Sequence, residues 1–312
     1  MTALVFEATY QDDWTEFERL TTDAQQPIDQ QREIGLARLR RVAAIEFPGA
    51  VRAHASYVAV AAAAFMIPTI VIGVLVYRHP ELILSVIDST TAASFESMYS
   101  ATAGPVGRAR ETSAGWTMFG YYIRHNVGVA FQCFAGGLFA GLGSLVFLVY
   151  NGAFSGALGG YLVERGLSPT FFAFVVTHSA FEVTAIVLSG AAGLRIGHAL
   201  LAPGPLRRGQ ALVVAARDCA VLLYGVTGML VVAAAFEAFW SPAGWPPHSV
   251  KYGVAALCWT SVIAYFTLQG RREEGSGTVS KIGHRDARNL AQFAALASSR
   301  RGVRFKITRR LL

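Results

Sequence analysis

The sequence predicts an all-α polytopic membrane protein with about six membrane-crossing helices, one of them short or re-entrant. Of its 312 residues, 53% are AVILMFWYC and only 15% are charged, against about 25% charged in ordinary soluble domains. The charges avoid a series of long apolar runs, each near the ~20 residues that a helix needs to cross a bilayer core. Within those runs, glycines recur at four-residue spacing, a pattern that lets helices approach closely in lipid.

Residues 1–52 read as a cytoplasmic helical segment. Trp14, Phe17 and Leu20 recur at helical spacing among Asp13, Glu16, Glu18 and Arg19, and Pro27 breaks the helix. A second helix runs from Gln31 to Phe47, with Pro48-Gly49 as its stop. The membrane domain spans 53–269. Its first crossing covers about 53–77, with Pro68 inside it, and a polar linker over 79–121 follows. In that linker Leu82 to Ile87 can start a helix lying at the interface. The second crossing covers about 127–149, and Asn151-Gly152 reads as a turn. Residues 152–162 then make a piece only roughly 17 Å long as a helix, against a hydrocarbon core of about 30 Å, hence short or re-entrant. Three more crossings follow at about 169–194, 211–239 and 250–268.

Loop charge sets the orientation. Arg38 to Arg52, Arg207-Arg208 and the tail over 270–312 are basic, whereas the turn from Trp240 to His248 is aromatic and has no Lys or Arg. Cytoplasmic loops carry the excess of Lys and Arg, so both termini are expected inside a bacterial cytoplasmic (inner) membrane, with 79–121 outside. That parity requires 152–162 to count as a crossing. The net charge of +7 resides in the tail, which suits anionic lipid headgroups. No nucleic-acid motif or groove signature accompanies it. Cys133, Cys219 and Cys258 all fall in apolar runs and have no metal-ligand spacing, so they read as small apolar fillers.

Ionisable groups inside spans are costly and mark functional sites by default. His178 and Glu182 stand at i and i+4 on one helix face. Glu237 lies near the outer end of the fourth long span, and Asn126 and Asn151 flank the glycine-rich region. These five residues form the expected intramembrane polar cluster. It suits a structural hydrogen-bond knot, a proton or ion relay, or part of a metal site. The His-Glu-x-x-His pattern is absent, and only Glu237 or His125 can complete a ligand set, so no metal or cofactor is expected. Ala153-Phe154-Ser155-Gly156 is one residue from the Gly-x-Ser-Gly of intramembrane serine proteases, with His178 or His198 as partner candidates. The missing glycine and the span context argue against a hydrolase, and no catalytic set is expected. Gly137, Gly141, Gly152, Gly156, Gly160, Gly193 and Gly197 read as helix-packing seams, with a homodimer seam as the alternative.

The combination of Asn126, Ala130-Phe131, Phe134-Ala-Gly-Gly137, Gly141-Leu-Gly143, Tyr150-Asn151-Gly152, Gly156, His178, Glu182, Gly190-Ala-Ala-Gly193-Leu194, Pro203-Gly204 and Glu237 resembles the stage II sporulation protein M family of bacterial integral membrane proteins. Trp14, Phe17 and Leu20 look like that family's cytoplasmic N-terminal segment. Departures are Asn126-Val127 in place of a paired Asn, His178-Ser179 in place of His-Gly, and Val183-Thr184 in place of Leu-Pro after Glu182. The resemblance implies a non-enzymatic inner-membrane scaffold for cell-envelope or peptidoglycan-remodelling proteins. The alternative is a transporter or channel-like protein working through His178, Glu182 and Glu237.

Overall fold

The structure, a computed structural model, describes residues 35–100 and 112–270. The segment carrying Trp14, Phe17 and Leu20, part of the polar linker and the basic tail lie outside the described residues. All regular structure among the described residues is helical.

The chain enters as a helix over residues 35–41, passes through a π turn at Val42–Glu46 and continues as α1, Phe47–Ala53. Helix α2 is Ala55–Arg78 and accommodates Pro68 in its interior. A 3-10 turn, Pro80–Ser85, leads to α3, Ser89–Tyr99. Helix α4 is Thr112–Ala135, α5 is Leu142–Glu164, α6 is Ser168–Leu201, α7 is Arg208–Ala235 and α8 is His248–Leu268. A π turn, Phe236–Trp240, extends α7. Five of these helices are long and apolar enough to cross a membrane: α2, α5, α6, α7 with its π turn, and α8. Helix α4 equals α2 in length, 24 residues, but carries Arg124, His125, Asn126 and Gln132 in its second half.

Two sequence expectations need correction. The run over 127–149 is not one crossing. It breaks at a 3-10 turn, Gly136–Leu138, followed by Gly141 with φ of +84°, a left-handed conformation that glycine adopts without a Cβ clash. Conversely, Asn151-Gly152 is no turn. Asn151 donates its side-chain amide to the Phe147 carbonyl one helical turn back, at 2.7 Å, and Gly152 sits inside α5. The piece expected over 152–162 is therefore the second half of a full-length helix. The linker is also shorter than 79–121, because α4 is already helical at Thr112 and α3 occupies part of the rest.

Glycines decide which helices meet most closely. A Cβ on Gly152, Gly156 or Gly160 would collide with the backbone carbonyl of Phe65, Thr69 or Gly73 respectively. The matched numbers rise together, so α2 and α5 run parallel, with backbone against backbone over two helical turns. Gly137 abuts Gly193, and Gly197 abuts Gly141, which seats the α4–α5 turn on α6. All seven glycines of the expected seams thus meet the chain's own helices. Further contacts fix the remaining directions. Ser189 Oγ donates to the Ala130 carbonyl at 2.5 Å, and Trp259 Nε1 donates to the Val176 carbonyl at 3.1 Å, so α4, α6 and α8 share one direction. Arg195 pairs with Asp218 at 3.2 Å, which runs α7 antiparallel to α6. Helices α2, α5 and α7 therefore run one way and α4, α6 and α8 the other.

At one end, Arg52 Nη1 donates to the carbonyls of Phe266 and Gln269 at 2.9 and 2.8 Å, satisfying carbonyls that a helix C-terminus leaves open. At the opposite end, the Pro80–Tyr99 region docks back on the bundle. Tyr99 packs its ring edge against Phe171 and Phe174, and Thr170 Oγ1 donates to the Tyr99 carbonyl at 2.6 Å. Glu96 pairs with Arg165 at 3.2 Å and accepts from the Tyr161 hydroxyl. Asp88 caps α3 by accepting from Thr91 N at 2.9 Å. Hydrogen bonds from Thr90 and Thr91 hold its carboxyl well below the usual carboxylate range.

Candidate functional site

The polar site grows from the face of α6 that carries residues four apart. His178 Nε2 and Glu182 Oε2 lie 3.8 Å apart, with the imidazole almost fully buried and the carboxylate half-buried. The third member comes from the end of α7. There the helix widens into the π turn Phe236–Trp240, and Glu237 sits in that turn. Such bulges frequently accompany functional positions. Asn126 of α4 is 1% exposed and donates from Nδ2 to Glu237 Oε2 at 3.3 Å. The ligand-type atoms of His178, Glu182 and Glu237 all lie within 4.8 Å of one another. Residues 111 positions apart in the chain are thus joined near the end of the bundle where Trp240 packs edge-on against Trp245.

The supporting residues complete the arrangement. Ser241, fully buried, places its Oγ 3.0 Å from His178 Nδ1. Its carbonyl accepts from Lys251 Nζ of α8 at 2.7 Å, and Lys251 is 3% exposed. Phe174 meets the imidazole edge-on at 5.6 Å. Four helices therefore contribute to one knot: α4 through Asn126, α6 through His178 and Glu182, the end of α7 through Glu237 and Ser241, and α8 through Lys251.

Of the five residues expected to cluster, Asn126, His178, Glu182 and Glu237 converge. Asn151 does not. It lines a separate groove of about 600 Å³ between α4 and α5, with Tyr121, Arg124, His125, Gln132 and Tyr150. His125 belongs to that groove, so Glu237 is the residue that joins the His178–Glu182 pair. Ser155 is exposed on α5, while the two candidate histidines are engaged elsewhere: His178 with Ser241 and His198 with the Tyr57 hydroxyl. No serine–histidine arrangement forms there.

Ser241 and Lys251 escape sequence reasoning. Lys251 has a usable signal, because it is the one Lys, Arg, Asp or Glu in the whole of α8 and an ionisable residue in an apolar helix invites the same suspicion as His178. Ser241 has none, since it follows Trp240 in a stretch that reads as an interfacial turn.

A family model described as Stage II sporulation protein M matches residues 62–242. That range is more than half of the chain, and it contains every member of the polar knot except Lys251. No curated protein and no solved structure matches the chain.

Proposed function

The chain belongs to the stage II sporulation protein M family, and we propose that it is an inner-membrane scaffold that organises cell-envelope or peptidoglycan-remodelling proteins. The observation that carries this reading is the use made of the polar groups. His178, Glu182, Glu237 and Asn126 are spent on tying helices to one another in a packed seam, and neither the α4–α5 groove nor the apolar groove bordered by Phe47, Tyr224 and Phe266 includes any of them. Buried hydrogen-bonded groups between helices rigidify a bundle. What such a bundle then holds in a fixed position is the Pro80–Tyr99 platform, where Leu82, Leu84 and Val86 are exposed beside the buried Ile83.

In this proposal α4 is a sixth crossing. Its direction, parallel to α6 and α8, makes six alternate crossings with both termini on one side. Arg52, Arg195, Arg207 and Arg208 lie at that end, which is cytoplasmic by the excess of positive charge. The platform and the Trp240–Trp245 pair then lie outside. Arg124 and His125 of α4 are compatible with a crossing because they border a groove next to Tyr121 and Asn151.

The test replaces residues 80–99 by a Gly/Ser segment of equal length. Recovery of envelope proteins by mild crosslinking and affinity purification should fall to background while insertion and span topology persist. Undiminished recovery contradicts the scaffold role. A transporter reading draws on the polar-lined α4–α5 groove, and proteoliposomes separate the two: a solute flux abolished by Glu182→Gln or Glu237→Gln favours transport over scaffolding.

A further inference from the structure

We propose that His178, Glu182 and Glu237 form a binding site for one divalent transition-metal cation, with zinc the best match to its ligand chemistry. Zinc accepts imidazole nitrogen and carboxylate oxygen at about 2.0–2.2 Å, and a set of three protein ligands plus water or a further oxygen is an ordinary zinc arrangement. Two ligand atoms at those distances and tetrahedral angles lie about 3.4 Å apart. His178 Nε2 and Glu182 Oε2 are 3.8 Å apart, and the three donor atoms fit within 4.8 Å. Closing on an ion therefore asks each side chain to move only by tenths of an ångström, with no helix displaced.

The histidine carries the argument beyond a meeting of two acids. Its side chain is 6% exposed, and Nε2 points at Glu182 from beyond hydrogen-bonding distance. The other ring nitrogen is engaged by Ser241 Oγ at 3.0 Å, and Ser241 is itself anchored through its carbonyl by Lys251. A metal-ligating histidine characteristically has its second nitrogen fixed in this way, which sets ring orientation and leaves the first nitrogen to the ion. Charge agrees as well. Two carboxylates and a neutral imidazole balance a 2+ ion, so the occupied site is neutral overall in a region where net charge is costly. Asn126 adjoins Glu237 at 3.3 Å and offers an amide oxygen on rotation of its side chain. Glu182 and Glu237 are only half-buried, which leaves the ion a way in. The sequence places two of these ligands at helical spacing, and the fold supplies the third from a different helix.

Metal binding is separable from the scaffold role, because partner recovery and metal content are read independently. The experiment uses the full chain in detergent, with any affinity tag removed, loaded with Zn²⁺ and desalted. About one zinc per chain should remain, and Zn²⁺ but not Mg²⁺ should raise the melting temperature. Glu237→Gln and His178→Gln should abolish stoichiometric retention, and Ser241→Ala should weaken it by about 10–100-fold. X-ray absorption on the wild-type protein removes dependence on variants that fail to fold. It should report imidazole nitrogen and carboxylate oxygen at about 2.0–2.2 Å. Absence of retained zinc, equal retention by folded Glu237→Gln, or a sulfur-bound or imidazole-free spectrum overturns the site. A cluster that merely shares a proton gives no Zn²⁺-dependent stabilisation, which overturns it too.

Discussion

Asn126 is the smallest unit on which the polar knot can be tested. It is 1% exposed, and its amide reaches a carboxylate 3.3 Å away on another helix. Interhelical hydrogen bonds in membranes average about 0.6 kcal/mol and reach about 1.7. A charged acceptor places this one toward the upper end. Asn126→Ala should therefore lower unfolding free energy in detergent by about 1–2 kcal/mol, measured by denaturant titration, whereas Asn151→Ala, whose amide bonds only within its own helix, should cost less than about 1 kcal/mol. Equal effects at the two positions would remove the distinction between knot and groove. At this scale the sequence is informative wherever cost is visible. His178, Glu182 and Glu237 stand out because ionisable residues in apolar runs demand a reason. Their partnership does not, because Glu237 reaches His178 only through the antiparallel packing of α7 on α6. Asn151 is misassigned for the complementary reason: an asparagine can satisfy itself on its own helix backbone, and nothing in a linear pattern reports that.

Helix α5 is where glycine spacing becomes structure. Gly156 faces the Thr69 carbonyl so closely that any side chain there must push α2 away, and overpacking typically costs about 1–3 kcal/mol. Gly156→Val should lose at least that much, since both sides of the contact are backbone and cannot repack. A Cβ added to Gly228 of α7 would meet nothing within 4 Å, and Gly in a helix interior is about 0.5–1 kcal/mol worse than Ala. Gly228→Ala should accordingly be neutral to slightly stabilising. Melting curves of the pair in one detergent decide the matter. The four-residue spacing reveals that seams exist, and the structure identifies α2 as the partner of α5. The turn is misplaced by the same chemistry. Glycine both breaks helices and lets them touch, and Gly136, Gly137 and Gly141 do the first while Gly152 and Gly156 do the second. Spacing alone cannot separate the two uses, because the deciding factor is whether another backbone arrives at that position.

Across the whole molecule, the alternation of six helix directions agrees with the parity that loop charge demands, although the crossing assigned to residues 152–162 belongs to a full helix and α4 takes the place of the run over 127–149. The relocated turn gives a sharp topology test. In a background with Cys133, Cys219 and Cys258 replaced, Phe139→Cys should be labelled from the cytoplasmic side, because Phe139 is 76% exposed in the α4–α5 turn. Leu84→Cys should be labelled only from outside. Were 127–149 a single crossing, position 139 would sit in mid-membrane and resist both reagents. Orientation is legible because loop charge is a property of the sequence itself. The platform is not, since it exists only where Tyr99 meets Phe171 and Phe174 and Glu96 meets Arg165.

The scaffold proposal meets its most direct test on that platform. A photo-crosslinking residue is placed at Leu84, or at the exposed Ala93 of α3, and compared with one at Ile70, an exposed position on the membrane helix α2. After irradiation of intact cells, positions 84 and 93 should yield discrete protein adducts with envelope proteins and position 70 should not. No protein adduct at 84 or 93, or the same adducts at all three positions, would contradict the account.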